Sequence, residues 1–202
     1  AWEGGFRSPF MVRWPGKIKA GVVSNEIMSN LDWLPTFLAA AGEPDVAEKL
    51  LKGHRAAGKT FKVHLDGYNF LPYLTGQEKK GPRDRYFYFS DDGNLLAMRY
   101  QNWKVHFMVQ DQAGTLEIWQ RQFRGLRSPY LFNLRTDPYE QATITSNTYW
   151  DWYFDRSFAL YALPDVVGEF LATFEEFPPR QKAASFTIDK ALEMLQRSPG
   201  GK

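Results

Sequence analysis

The sequence predicts the end of an α/β domain followed by an α+β unit, a small antiparallel sheet with packed helices. Three observations carry that expectation. Up to about residue 80, short apolar runs alternate with helical spacing and Gly/Pro turns. Beyond residue 85, strand-like runs follow one another across short turns, the texture of a meander, which needs at least one face covered. Towards the end of the chain, apolar residues recur on stripes at helical spacing that supply such a cover. The polar stretch 75–84 (TGQEKKGPRD) marks the boundary and divides the chain into 1–80 and 81–202.

The elements follow in order. The opening, AWEGGFRSPFMVRWPG, reads as the middle of a loop feeding a buried strand, with chain expected upstream of it. Residues 10–14 (FMVRW) are expected as that strand, interior to a sheet, because Met11 and Val12 are apolar on opposite faces. Pro15-Gly16 ends it. Residues 31–41 read as a helix with Leu31, Leu34, Leu38 and Ala41 on its core face, capped by Asn30 or Asp32 and stopped by Gly42. Pro35 fits in the first turn. Residues 45–52 add a short helix ended by Gly53. Residues 53–64 read as a basic loop, and 65–73 as a turn followed by one apolar turn of helix.

In the second part, 86–89 reads as a strand, Asp91-Asp92-Gly93-Asn94 as a hairpin turn, and 95–99 as the returning strand. Gln101-Asn102 turns again into 103–107 (WKVHF), which alternates apolar and polar. Weaker strands are expected at 116–119 and 130–133. Residues 165–177 place Val166, Phe170, Phe174 and Phe177 on one stripe. Residues 187–196 do the same with Ile188, Ala191, Leu192 and Leu195. The aromatic run 149–161 has no period that assigns it.

Composition excludes several classes. With 25 basic and 23 acidic residues the net charge is +2, which gives no reason to expect nucleic acid or an anionic membrane as partner. The absence of cysteine removes disulfides, Cys-ligated zinc and thiol nucleophiles. No apolar run approaches the ~20 residues that span a bilayer. Aromatics make up 16% of the chain, enough for a core with a surplus that would suit a sugar- or ring-binding surface.

No active site emerges from spacing. His54, His64 and His106 form no metal-spaced pair. His106 lies opposite Val105 and Phe107 on its strand and reads as solvated or hydrogen-bonded. His54 and His64, with Lys59 and Lys62, suit either a solvated loop or the rim of an anion pocket. The Asp91–Asn94 turn lacks the remaining ligands of a calcium loop. Asp137-Pro138-Tyr139-Glu140 is turn chemistry.

A resemblance reaches further. Glu3-Gly4-Gly5-Phe6-Arg7-x-Pro9 with Val12-Arg13-Trp14-Pro15-Gly16 resembles the strand lead-in of the sulfatase family. Leu31-Asp32-Trp33-Leu34-Pro35-Thr36 is similar to its D-x-x-P-T helix start. Residues 66–76 (DGYNFLPYLTG) resemble its DG-x-x-L-x-P-x-L-x-G segment. Arg99 with Trp103-Lys104 resembles its R-x-x-x-W-K hairpin. Leu131-Phe132-Asn133-Leu134 with Asp137-Pro138 and Glu140 resembles LYDL-x-x-DP-x-E. The five segments are collinear, and the branch they resemble is the arylsulfatase type. None of the five segments reaches into residues 141–202.

The resemblance implies an alkaline-phosphatase-like sulfatase fold and hydrolysis of sulfate esters in a periplasmic or extracellular setting. It implies a formylglycine made from Cys in C-x-P-x-R and a calcium ion, both held upstream of the Glu-Gly-Gly segment. This segment is therefore expected to hold no catalytic residue and no metal, and to be inactive alone. Its expected partner is the N-terminal catalytic portion of the same protein, with a sulfate ester as that enzyme's substrate. Glu3 and Arg7 are the candidates for lying near the substrate. Gly4-Gly5 are expected where the backbone passes close to the site. Two other readings stay open: a related phosphate or phosphonate ester hydrolase of the same superfamily, and an aromatic-rich carbohydrate-binding module.

Overall fold

The computed structural model describes residues 1–110, 117, 120–161, 163–180, 182–185, 188 and 192–193. Its elements are short helices and two small antiparallel sheets. The expected strand at 116–119 and helix at 187–196 lie outside the described residues but for Glu117, Ile188, Leu192 and Glu193.

The chain opens with one helical turn, α1 (Glu3–Phe6). Residues 10–14 form no strand, contrary to expectation: they are irregular and exposed, and Met11 is 98% accessible. The reason is pairing. A strand needs hydrogen-bonded neighbours, and among the described residues none runs beside this segment.

A 3-10 turn (Asn30–Asp32) leads into α2 (Trp33–Ala40). The cap is Ser29 rather than Asn30 or Asp32, although Asp32 closes the capping box by accepting from the Ser29 N–H at 2.8 Å. Gly42 follows the helix with φ +100°, the expected stop. The buried face is the opposite of the one the apolar spacing indicates. Asp32, Pro35, Thr36 and Ala39 are buried, whereas Leu34 is 51% and Phe37 62% exposed.

Hydrogen bonding explains the inversion. Asp32 accepts from Arg83 Nε (2.9 Å) and Nη2 (2.6 Å) and from the Tyr68 N–H (2.8 Å). Thr36 Oγ1 donates to the Asp32 carbonyl (2.6 Å) and accepts from the Phe70 N–H (2.9 Å). The segment around 67–70 lies so close that a Cβ on Gly67 would sit 2.0 Å from the Leu31 carbonyl oxygen. Only glycine permits that approach.

Helix α3 (Val46–Lys52) ends at Gly53 as expected. The basic stretch after it is a hairpin, not a loop: β1 (His54–Ala56) pairs with β2 (Lys59–Phe61). Ala57 and Gly58 both take positive φ, as a two-residue hairpin turn requires. The one-turn helix α4 (Leu71–Leu74) follows.

The main sheet is the expected meander, in the order β3 (Arg85–Phe89), β4 (Leu95–Tyr100), β5 (Trp103–Val109), β6 (Arg124–Asn133). Both of its faces are covered. The stripe of α8 (Leu163–Glu176) lies on one, with Phe170 stacked 4.1 Å from Phe87 and Phe174 edge-on to Phe89. Residues 2–6 lie on the other, with Trp2 stacked on His106 (4.3 Å) and Phe6 edge-on to Tyr88 (4.9 Å).

The unassigned aromatic run is α6 (Tyr149–Asp155) and α7 (Phe158–Tyr161), preceded by α5 (Ala142–Thr145). Tyr149 and Tyr153 are core residues beside Val105, Leu131 and Phe132. The Tyr149 hydroxyl accepts from the Leu131 N–H and donates to the Leu131 carbonyl, both at 3.1 Å. A side chain thus satisfies the free edge of β6.

Candidate functional site: a sealed charge cluster and the basic cavity beside it

The alternation of β5 puts Lys104 and His106 on one face of the sheet, the face that residues 2–6 cover. Register adds Arg99 opposite Lys104 on β4. Glu140, at φ +57° after the Asp137-Pro138 turn, brings a carboxylate to the same place, and α1 brings Glu3.

These groups close on one another. Lys104 Nζ donates to Glu3 Oε1 at 2.9 Å and lies 3.1 Å from Glu140 Oε1. His106 Nε2 is 2.6 Å from Glu140 Oε1, and the Glu3 N–H donates to Glu140 Oε2 at 2.6 Å. Lys104, His106, Glu3 and Glu140 are each at most 3% exposed. Glu3 Oε2 is the one buried side-chain oxygen without a hydrogen bond among the described residues. It faces two guanidinium groups, Arg99 Nη1 at 3.8 Å and Arg7 Nη1 at 3.9 Å.

Electrostatics sets the protonation. Burial pushes His106 below its ordinary value, against the opposing pull of Glu140. Burial also pushes Glu140 up, but the His106 hydrogen bond, the Lys104 charge and the Glu3 N–H together hold it below the usual carboxylate range. Glu140 is therefore ionised and His106 neutral, with the His106 proton on Nε2 facing the carboxylate. Burial raises the Tyr88 phenol, which lies under Lys104 Nζ at 4.5 Å, so it stays protonated. A carboxylate pair, a lysine and a neutral imidazole sealed from solvent have no open side for a reacting atom. What the arrangement does is pin residues 2–7 to the sheet.

Beside it lies a cavity of about 610 Å³ lined by Arg7, Lys80, Arg83, Arg99 and Arg135, with Glu26 and Asp84 among its acidic groups. The two residues singled out from the sequence thus take different places. Glu3 is inside the sealed cluster, and Arg7, one turn on, has its side chain 53% exposed and reaches the cavity. Lys104, His106 and Glu140 were not singled out as functional. Two polar residues on one face of an apolar strand were a signal for the first two, and Lys104 and Glu140 also stand in the R-x-x-x-W-K and LYDL-x-x-DP-x-E segments of the resemblance. His64 contacts Asp66 (3.1 Å) and Phe177, and Lys62 pairs with Glu176 (2.8 Å). Asp92 accepts from the Ser185 N–H at 2.7 Å.

Among the described residues no three His, Cys, Asp or Glu side chains converge as a metal set, and no single helix is long and apolar enough to cross a membrane. The chain has no cysteine to become formylglycine. Among the described residues there is no donor set that fits the calcium, and in the chain no cysteine that fits the formylglycine, that the resemblance implies.

Comparison with known proteins yields consistent matches. A family model described as the C-terminal region of aryl-sulfatase matches residues 81–195, and the sulfatase model matches residues 1–43. Human arylsulfatase A is 35% identical over 148 residues, 69% of this chain and 26% of that protein. The arylsulfatase of Hemicentrotus pulcherrimus is 33% identical over 111 residues, 54% of this chain and 17% of its own length. The ulvan-active sulfatase of Formosa agariphila is 28% identical over 165 residues, 71% of this chain and 30% of its own. Among solved structures, the PsFucS1 sulfatase from Pseudoalteromonas sp. superposes with a TM-score of 0.59 at 24% identity, covering 82% of this chain and 29% of that one. The chain therefore spans under a third of the length of each of these relatives.

Proposed function

The chain belongs to the sulfatase family, as a C-terminal region of the aryl-sulfatase type, and from that premise we propose that it is the positioning part of a sulfuric ester hydrolase. The nucleophile and the calcium site belong to a catalytic portion of the same protein, for which this chain supplies no ligand. Residues 1–80 are the end of the large α/β domain and residues 81–202 a separate subdomain. The observation that carries the reading is the sealed cluster. The Glu-Gly-Gly segment, which leads towards the reacting centre in the family pattern, is held by Lys104 and Glu140 of the second unit.

In this reading Glu3 is a positioning residue, buried and aimed at two guanidinium groups. Arg7 is the group near the substrate, because it is loosely held and half in solvent. Gly4 and Gly5 have no atom within 4 Å of where a Cβ would stand. That leaves room for the catalytic portion to pack there.

Assaying the chain joined to the catalytic portion of its own protein, rather than to a relative's, with an aryl sulfate beside an aryl phosphate tests the reaction class. The expected result is hydrolysis of the sulfate at the higher kcat/KM. Preference for the phosphate would move the chain to the related phosphate ester hydrolases.

A further inference from the structure

We propose that the outward side of α6 and α7 is a lipid-contact surface, through which the protein rests on the headgroup region of a zwitterionic bilayer. The proposal goes beyond the positioning role and is read by vesicle binding rather than turnover, so either can fail alone.

Anchoring is the first argument. The Tyr149 hydroxyl bonds both backbone groups of Leu131, and the Tyr153 hydroxyl is 2.7 Å from Ser128 Oγ. Helix α6 therefore lies along β6 with that side inward. Trp150 and Phe154, four residues apart, share another side. They are 49% and 68% exposed, and on α7 Phe158 and Tyr161 are 68% and 81% exposed. Trp150 and Phe154 both meet the Tyr153 ring edge-on, at 5.4 and 5.7 Å, and so form one patch. In chain order the four run Trp, Phe, Phe, Tyr. Two wholly apolar rings stand between two that carry a polar atom, and Trp and Tyr are the residues that collect at a membrane–water interface.

Area and charge select the occupant. The four rings expose roughly 500 Å² together, short of the ~800 Å² per partner of a stable protein interface. Interfacial membrane binding scales with apolar area and has no such threshold. Asp151 and Asp155 are exposed on α6, with no cation within 4.0 Å among the described residues. A symmetric pair of copies would bring four such carboxylates to one interface. The only cation in residues 149–161, Arg156, is turned to the helix: its Nη1 donates to the Trp152 carbonyl at 3.1 Å and its guanidinium lies 5.1 Å from the Trp152 ring. Nothing here attracts an anionic lipid, whereas choline headgroups offer cations to the two acids.

Position is the third argument. Residues 1–80, which the catalytic portion would continue, meet the sheet elsewhere. Asp32 pairs with Arg83 just ahead of β3, the edge strand opposite β6, and residues 2–6 lie on a face. Three strand spacings, about 14 Å, separate the two edges.

Co-sedimentation of the full 202-residue chain with phosphatidylcholine vesicles, and with vesicles that also contain phosphatidylserine, tests this. Binding to pure phosphatidylcholine is expected, unweakened by salt and not strengthened by phosphatidylserine. Phe154→Ser with Phe158→Ser alters two exposed rings outside the core and should weaken binding about tenfold or more. Spin-labelled phosphatidylcholine should broaden the amide signals of residues 150–161 in the unaltered chain, which locates the contact without any substitution. The chain joined to the catalytic portion of its own protein should bind the same vesicles. Failure to bind phosphatidylcholine would overturn the proposal. So would binding that needs phosphatidylserine, equal binding by the double variant, or broadening centred on residues 10–37. Loss of binding in the joined protein would overturn it by giving the surface to the catalytic portion. A dimer that the double variant dissociates would overturn it by giving the surface to a second copy.

Discussion

Three donors converge on the Glu140 carboxylate, in a place closed to water. Glu3 and Glu140 already face Lys104, Arg99 and Arg7, and a protonated His106 would add a further positive charge there. This gives stability a pH dependence with a definite sign. His106 has its folded-state pKa below the ordinary 6.5, so the unfolded chain takes up that proton first as pH falls. The contribution is complete above about pH 6.5 and is lost as pH drops from there through the folded value. Glu140, also depressed, begins its own loss only below its ordinary 4.5. Burial also holds the Ala1 amino group down at about 6, which weakens any variant alike as pH falls from 8. In urea unfolding the unaltered chain should lose stability below pH 6.5 in addition to that shared loss, and His106→Gln, which keeps a donor for Glu140, should not show the additional loss. Parallel profiles for the two proteins would mean that His106 does not titrate this way. The sequence shows the alternation that pairs Lys104 with His106 but not their burial. That burial depends on Glu3, about a hundred residues away, and on Glu140 at positive φ, and although both stand in segments of the resemblance, the alternation of β5 does not show that they meet Lys104 and His106.

The elements differ in how far local pattern determines them. Strands β3, β4 and β5 and their order are legible, because the turns between them are short; β6 is legible only in its last residues, since it starts at Arg124 rather than 130 and follows the longer connection 110–123. The stripe of α8 is legible because Phe170 and Phe174 face a sheet already implied. Helix α6 is not, since every residue but its two acids is aromatic and no period separates its faces. Helix α2 has a clear period that points the wrong way: an ion pair and a threonine hydroxyl turn its polar side inward. Residues 10–14 have a strand's composition but, among the described residues, no neighbour to pair with. The edge of β6 yields a direct test. Burial holds the Tyr149 phenol up at about 12, so it remains a donor as well as an acceptor. Tyr149→Phe leaves the Leu131 N–H and carbonyl unpaired in the core, at a cost of roughly 1–3 kcal/mol. Faster hydrogen exchange at Leu131 and a lower melting temperature should follow. Unchanged protection there would show that the edge needs no side chain.

On the scale of the whole molecule, two buried ion pairs join the first 80 residues to the rest: Asp32 with Arg83, and Glu3 with Lys104. Residues 1–80 produced alone would keep both carboxylates and lose both cations. Removing one partner of a buried pair costs ~3–5 kcal/mol, and a domain has only ~5–15 kcal/mol in hand. That fragment should show no cooperative unfolding, and a sharp thermal transition would contradict the dependence on the second unit. An apolar surface points outward from the same region. Phe10, Leu34 and Phe37 are each more than half exposed, and Trp33 lies edge-on to Phe10 at 5.6 Å and stacked on Phe37 at 5.1 Å. Contiguous exposed aromatics of this kind mark a contact surface, and in the proposed reading the catalytic portion covers them. The measurement that bears most directly on the positioning role is aryl-sulfate turnover by the pure chain with calcium supplied, beside the same chain joined to a catalytic portion. The expected result is hydrolysis by the joined protein and only the uncatalysed rate from the chain alone, which has no cysteine to become formylglycine. Turnover by the pure chain above the uncatalysed rate would contradict it.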